Sequence, residues 1–171
     1  MAENPMKEIR IEKVVINIGC GEAGEKLDKA KKVLETLITG HKIVTTHTHD
    51  RTTFGMAKGR PIGMMVTLRG KDANDFLKRA IESVENKLPK ACCDRQGNLS
   101  FGVREHISMP GVRYDPEIGV WGMDVCIRLE RRGYRVLRKR NPDKISKKHR
   151  VKPEEAKEFM IKNFDVKFGE E

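Results

Sequence analysis

The stretch from His41 to Gly70, HKIVTTHTHDRTTFGMAKGRPIGMMVTLRG, constrains the fold of this chain more than any other. Two segments rich in β-branched residues, Lys42 to Thr46 and Ile62 to Arg69, flank a polar loop. Segments of this kind, fenced by Gly and Pro, read as paired strands. In the second, alternation sends Ile62, Met64, Val66 and Leu68 to one side and Gly63, Met65, Thr67 and Arg69 to the other. The first side is core. The second carries a hydroxyl and a guanidinium, which suit either plain solvation or a polar ligand. The loop adds Arg51, Lys58 and Arg60 among Gly55, Gly59, Thr52, Thr53 and Phe54. Cations and one aromatic on a long hairpin suit phosphate contact and base stacking.

The same alternation recurs along the chain. Val14, Ile16 and Ile18 share one side of a strand and Val15, Asn17 and Gly19 the other, so Asn17 faces the same kind of surface as Thr67. Leu99 to Ile107 reads as a further strand. In the last one Trp121, Met123, Val125, Ile127 and Leu129 lie opposite Asp124, Cys126 and Arg128. Two stretches have helical spacing instead. Gly24 to Thr39 carries Leu27, Ala30, Leu34, Leu37 and Ile38, with acids near its start and Gly40 just past its end. Asp72 to Leu88 carries Phe76, Leu77, Ala80, Ile81, Val84 and Leu88, with Asp72 placed to cap and Pro89 to stop it. Their stripes cover one side of a sheet and leave Asn17, Thr67 and Arg69 uncovered. The expected fold is α+β: an antiparallel sheet with helices packed on one face and an open polar face.

At 171 residues the chain is expected to form one domain over residues 1–130, with 131–171 as a basic arm and a closing helix docked on it. Tyr134, Val136 and Leu137 can continue a strand past Gly133 before the chain loosens at Asn141-Pro142. Pro153, Glu154 and Glu155 then open a short helix with Ala156, Phe159, Met160 and Phe164 as its apolar stripe.

Charge is distributed unevenly. The net charge is +10, from 35 Lys and Arg against 25 Asp and Glu. Between Arg128 and Lys152 stand 12 bases and two acids, Glu130 and Asp143, which leaves 23 of each sign for the rest of the chain. So one-sided a run reads as a polyanion-binding arm, because neutralised phosphates release condensed counterions; a solvated surface segment is the alternative.

Other motifs carry less. Gly19-Cys20-Gly21-Glu22-Ala23-Gly24 fits G-x-G-x-x-G between a strand and a helix, the pattern of a dinucleotide-binding turn. Glu22 and Glu25 stand where a pyrophosphate would approach, and no acid lies between Thr36 and His49 to hold a ribose, so a tight strand-to-helix connection is the favoured reading. Cys20, Cys92, Cys93 and Cys126 match no zinc spacing, and His41, His47 and His49 have no cysteine beside them, so no metal site is expected. Nothing resembles a signal peptide and no apolar run approaches the length of a membrane span, so an intracellular soluble protein is expected.

Asn4-Pro5-Met6 with VVINIGCGEAG, then FGMAKGRPIGMMVTLRG, FGVREHI and YDPEIGVWGMDV follow one another across most of the chain. In this order they resemble the large-ribosomal-subunit family that holds 5S ribosomal RNA, family five of that subunit. The KHRV and PEEA segments look like its archaeal and eukaryotic branch. The resemblance implies a non-catalytic protein without cofactor, whose open sheet face lies on 5S rRNA. It carries contacts over to Asn17, to His41 (glutamine in the bacterial branch), to Phe54 and to Thr67. Arg69 is added here as a phosphate contact. The family's loop, here with His49, Arg51, Thr52, Thr53 and Lys58, is implied to reach the peptidyl-site tRNA. Further contacts are implied to 23S rRNA, to a neighbouring 5S-binding protein of the large subunit and to a small-subunit head protein. Contacts to other rRNA are assigned to Arg60 and to the arm cations Arg131, Arg132, Arg138, Lys139, Arg140, Lys147, Lys148 and Arg150. A ribosome-bound, cytoplasmic location follows from the resemblance. Two rivals stay open on the residues alone, a generic basic RNA-binding protein and an enzyme that binds a nucleotide through the Gly19–Gly24 turn.

Overall fold

Alternation in the sequence becomes alternation in burial. In the first strand, β1 (Ile9–Gly19), Val14, Ile16 and Ile18 are buried while Val15 and Asn17 between them are half-buried. The computed structural model describes residues 4–49 and 57–169. After β1 follow α1 (Glu25–Leu37), β2 (Ile43–His47), β3 (Pro61–Leu68), α2 (Gly70–Ser83), β4 (Lys87–Pro89), β5 (Leu99–Val103), β6 (Met123–Arg131), α3 (Pro153–Phe164) and β7 (Lys167–Gly169). The architecture is α+β. A five-stranded antiparallel sheet has the order β2-β3-β1-β6-β5, and β4 pairs with β7 in a separate parallel ribbon.

The described chain divides into two compact units. The first comprises Val15–Leu68 and Gly102–Val125. Here β2 and β3 pair antiparallel with Ile43 opposite Val66, Val44 opposite Met65 and Thr46 opposite Gly63. α1 packs on β3 and buries Ala30, Val33, Leu34 and Leu37. No side chain caps its start; Glu25 and Asp28 in the first turn complement the dipole there instead. Each Leu or Ile sealed into this core contributes roughly 1.5–3 kcal/mol of apolar burial. Gly63 is required by close approach: a Cβ there would stand 2.7 Å from Ile18 O and 2.9 Å from Thr46 Oγ1. Beyond β2 the buried Thr48 ties the two sides of the hairpin. Its N–H donates to Arg60 O (2.9 Å), its hydroxyl donates to Ala57 O (2.7 Å) and accepts from Arg60 N–H (2.9 Å), and Gly59 N–H donates to its carbonyl (2.9 Å).

The second unit comprises Arg69–Phe101, Cys126–Glu171 and Met1–Val14, in their described parts. Its core includes Ala73, Phe76, Leu77, Ala80 and Ile81 of α2, Leu99 and Phe101 of β5, Ile127 and Leu129 of β6, and Ala156 and Met160 of α3. Three expectations are corrected here. The second helix starts at Gly70 rather than at an Asp72 cap, and it stops at Ser83 rather than near Leu88. Glu85 and Asn86 take left-handed φ values of 55° and 58°, which end the helix and release Lys87–Pro89 as a strand. Tyr134–Arg138 forms a 3-10 turn instead of continuing β6, because Gly133, with φ 97°, turns the chain out of the strand.

Candidate nucleic-acid interface

Within the first unit, the side of the strands away from the core is polar. Asn17 lies between the buried Ile16 and Ile18, and Thr67 between the buried Val66 and Leu68, and both are half-buried. Neither side chain hydrogen-bonds to another described residue. The surface also carries the cross-strand pair Val44 and Met65, the first 41 % exposed. Near Asn17 an open notch of about 450 Å³ is lined by Gly19, Gly102, Val103, Arg104, Gly122, Met123 and Asp124. Arg104 and Asp124 are exposed and, among the described residues, neither has an ion-pair partner. A half-buried donor or acceptor that the protein leaves unsatisfied is suited to a ligand that satisfies it.

Two amides of the glycine turn after β1 are engaged within the fold. Cys20 N–H and Gly21 N–H both donate to Ile62 O, at 2.9 and 3.0 Å. Glu22 pairs with Lys26 at 2.8 Å, and that hydrogen bond holds its carboxyl below the usual range. The turn therefore fastens β1 to β3. His41 follows Gly40, whose φ of 84° turns the chain out of the helix end, and lines a hollow with Lys31, Glu35, Ile38 and Ile43. His49, Lys58 and Arg60 are exposed at the open end of the hairpin. Arg51, Thr52, Thr53 and Phe54 lie outside the described residues. Arg69, in the second unit, is exposed at the start of α2.

The basic arm, in the second unit, uses part of its charge internally. Arg131 is buried and pairs with Glu155 of α3 at 2.7 Å. Arg138 reaches two carboxylates, Glu12 of β1 at 2.8 Å and Glu130 of β6. Arg128 stands 2.8 Å from Glu12 and Arg10 2.7 Å from Glu130. The two carboxylates are nearly sealed, at 6 % and 4 % side-chain exposure, while the guanidiniums remain about half exposed. Arg132 pairs with Glu8 on the open surface, where such a contact is worth little. By contrast Lys139, Arg140, Lys147, Lys148 and Arg150 are exposed and have no acidic partner among the described residues. Local counting of charge missed this difference, because Glu12 and Glu155 come from distant segments. The acids Glu12, beside Ile11 and Val14, and Glu130, among arginines at the end of β6, were the sequence signal for it. The notch was missed as well, although Gly102 and Gly122 stand at both ends of the β5–β6 connection.

Among the described residues no group of three or more His, Cys, Asp and Glu is placed to hold a metal ion. Burial pushes the Cys92 and Cys93 thiols up, away from the reactive thiolate. No described helix is long and apolar enough to cross a membrane.

An α+β chain with unsatisfied polar groups on a sheet surface in one unit, and exposed cations without acidic partners among the described residues in the other, is of a class suited to contact a nucleic acid through its surface. Comparison with known proteins gives the family. Residues 4–52 match the family described as ribosomal protein L5, and residues 61–168 match the ribosomal L5P family C-terminus. The chain is similar to the large ribosomal subunit protein uL5 of Sulfurisphaera tokodaii, with 48 % identity over 95 % of this chain and 93 % of that protein. It is similar to the protein of the same name from Pyrobaculum aerophilum at 47 % identity, over 95 % and 92 % of the two chains. The counterpart from Methanosphaera stadtmanae is 42 % identical over 95 % and 98 %. The chain belongs to the L5 family of ribosomal proteins, in its archaeal branch, and is not an enzyme.

Proposed function

We propose that this chain is a structural protein of the large ribosomal subunit that docks the bare side of its sheet on 5S rRNA. Asn17 and Thr67 act as hydrogen-bonding groups there, with His41 and Phe54 as further 5S rRNA contacts and Arg69 on a phosphate. The cations Arg60, Lys139, Arg140, Lys147, Lys148 and Arg150 hold 23S rRNA, with Arg132 and Arg138 contributing the exposed part of their guanidiniums. Arg131 serves this contact by fixing α3 to β6 through Glu155. The hairpin loop, with His49, Arg51, Thr52, Thr53 and Lys58, reaches the peptidyl-site tRNA. A neighbouring 5S-binding protein and a small-subunit head protein are its protein partners, and the chain works on cytoplasmic ribosomes.

One observation carries this reading. Asn17 and Thr67 are half-buried polar side chains without a partner among the described residues, each between buried residues that anchor it. A folded RNA offers both the hydroxyls and the phosphates to satisfy them. The test is a competition: the purified chain is expected to retain 5S rRNA against an excess of tRNA of similar size at moderate salt. The unpaired arm cations favour a second reading, a generic basic RNA-binding protein, for which the two RNAs would compete equally. Equal competition would remove the proposal.

A further inference from the structure

Resting on the reading that the bare sheet side docks on RNA, we propose that the notch beside Asn17 is a base pocket that clasps an unstacked guanine through the Asp124 carboxylate. Asp124 is otherwise out of place. Among the described residues it is an exposed anion without an ion-pair partner on a surface that is to meet a polyanion, and like charges there weaken binding. An ionised carboxylate only accepts hydrogen bonds. The RNA groups that suit it are therefore donors, the ribose 2′-hydroxyls and the N–H groups of base edges, whereas phosphates and unprotonated ring nitrogens only accept. Guanine presents two adjacent donors, N1–H and the N2 amino group, that match the two carboxylate oxygens. Adenine and cytosine each set a single amino group beside a ring acceptor, which repels the second oxygen. Asn17 and Arg104 line the same notch and carry donors for the guanine O6 or the following phosphate.

The room for a base comes from missing side chains. A Cβ on Gly19 would meet nothing within 4 Å, and one on Gly102 would meet only Asp124 Oδ1 at 3.8 Å. Gly102 lies in β5 without a left-handed φ, so the strand does not need glycine for its backbone. The notch that glycine leaves is thus available to a ligand, with the carboxylate at its edge.

Asp124→Asn in the full chain separates the alternatives by sign. On a surface that merely faces phosphates, removing an anion leaves 5S rRNA affinity unchanged or raises it. In a guanine clasp it replaces one of two acceptors by a donor, and affinity falls roughly tenfold. Gly102→Val fills the notch with a residue favoured in strands and is expected to weaken binding similarly while melting like the parent chain. The decisive readout is kethoxal, which reacts at N1 and N2 of unpaired guanines. One guanine of 5S rRNA is expected to be protected by the parent chain and reactive with Asp124→Asn, the rest of the footprint being unchanged. An identical guanine pattern with undiminished affinity for both variants would overturn the pocket while leaving sheet docking intact. Failure of the parent chain to select 5S rRNA over tRNA would overturn docking and pocket together.

Discussion

The sheet surface around Asn17 and the basic segment after β6 are both rich in polar groups, and they dispose of them in opposite ways. In the first unit Asn17, Thr67, Arg104 and Asp124 have no partner among the described residues. In the second unit Arg128, Arg131, Arg132 and Arg138 are answered by Glu12, Glu155, Glu8 and Glu130. Four of the 12 bases counted between Arg128 and Lys152 are thus engaged within the protein. A tally of cations therefore overstates what a segment offers to a polyanion. A nearly neutral surface whose hydrogen-bonding groups are unsatisfied can offer more selectivity, because direction rather than charge decides what fits.

This contrast can be broken most directly at Glu130. Glu130→Ala leaves Arg10 without its buried counter-ion and Arg138 with Glu12 alone, and is expected to lower stability by about 2–4 kcal/mol. The figure lies below the full cost of orphaning a buried charge, since both guanidiniums can turn into water. Urea unfolding measures it, and a loss under about 0.5 kcal/mol would mean the cluster is only decoration. Asn17→Ala and Thr67→Ala are expected to behave in reverse, with melting unchanged and 5S rRNA binding weakened by roughly 1–3 kcal/mol each. Unchanged affinity in both would remove the bare surface as the docking side. A finer comparison lies inside the arm. Replacing Lys147 and Lys148 together by Ala should reduce the salt slope of rRNA binding by about 1–2, while Arg138→Ala, whose guanidinium is shared with Glu12 and Glu130, should reduce it by less than about 0.5. Equal slopes for the two variants would erase the distinction drawn here.

The smallest effect is expected at His106. It is buried at 5 % exposure, with Nδ1 accepting Trp121 N–H at 3.2 Å, and burial pushes the imidazole below its ordinary 6.5. The unfolded chain therefore takes up the proton first. The contribution is complete above about 6.5 and is lost as the pH falls toward the lower value of the folded state. His106→Gln should show a shallower loss of stability than the parent over that window, measured as urea midpoints, and parallel curves would contradict the neutral ring.

Legibility in the sequence followed the range of the interaction that decides each feature. Strand faces were legible because a two-residue period reports which side is buried, and Ile16, Ile18, Met123, Val125, Ile127 and Leu129 are buried as alternation required. The candidate pair Asn17 and Thr67 followed from the same period. Helix ends were less legible. Asp72 and Pro89 are strong local signals, yet the end of α2 was set by left-handed residues Glu85 and Asn86, types that do not advertise that conformation as glycine does. Tyr134–Arg138 has strand-forming side chains and was turned by its preceding glycine. The carboxylate–arginine cluster joins residues such as Arg10 and Glu130, which are 120 positions apart, and no window on the chain contains both. The notch was hidden for a related reason: its glycines and Asp124 come together only through the pairing of β1, β6 and β5.

Thr48 has a consequence for how this chain tolerates change. Because its backbone and hydroxyl bridge to Ala57, Gly59 and Arg60, the hairpin is clasped at Thr48 itself. An insertion between Thr48 and Ala57 would therefore add little closure entropy, only about 0.6 kcal/mol for each doubling of length. The strands on the near side of the clasp would keep their registration whatever length of chain is inserted there.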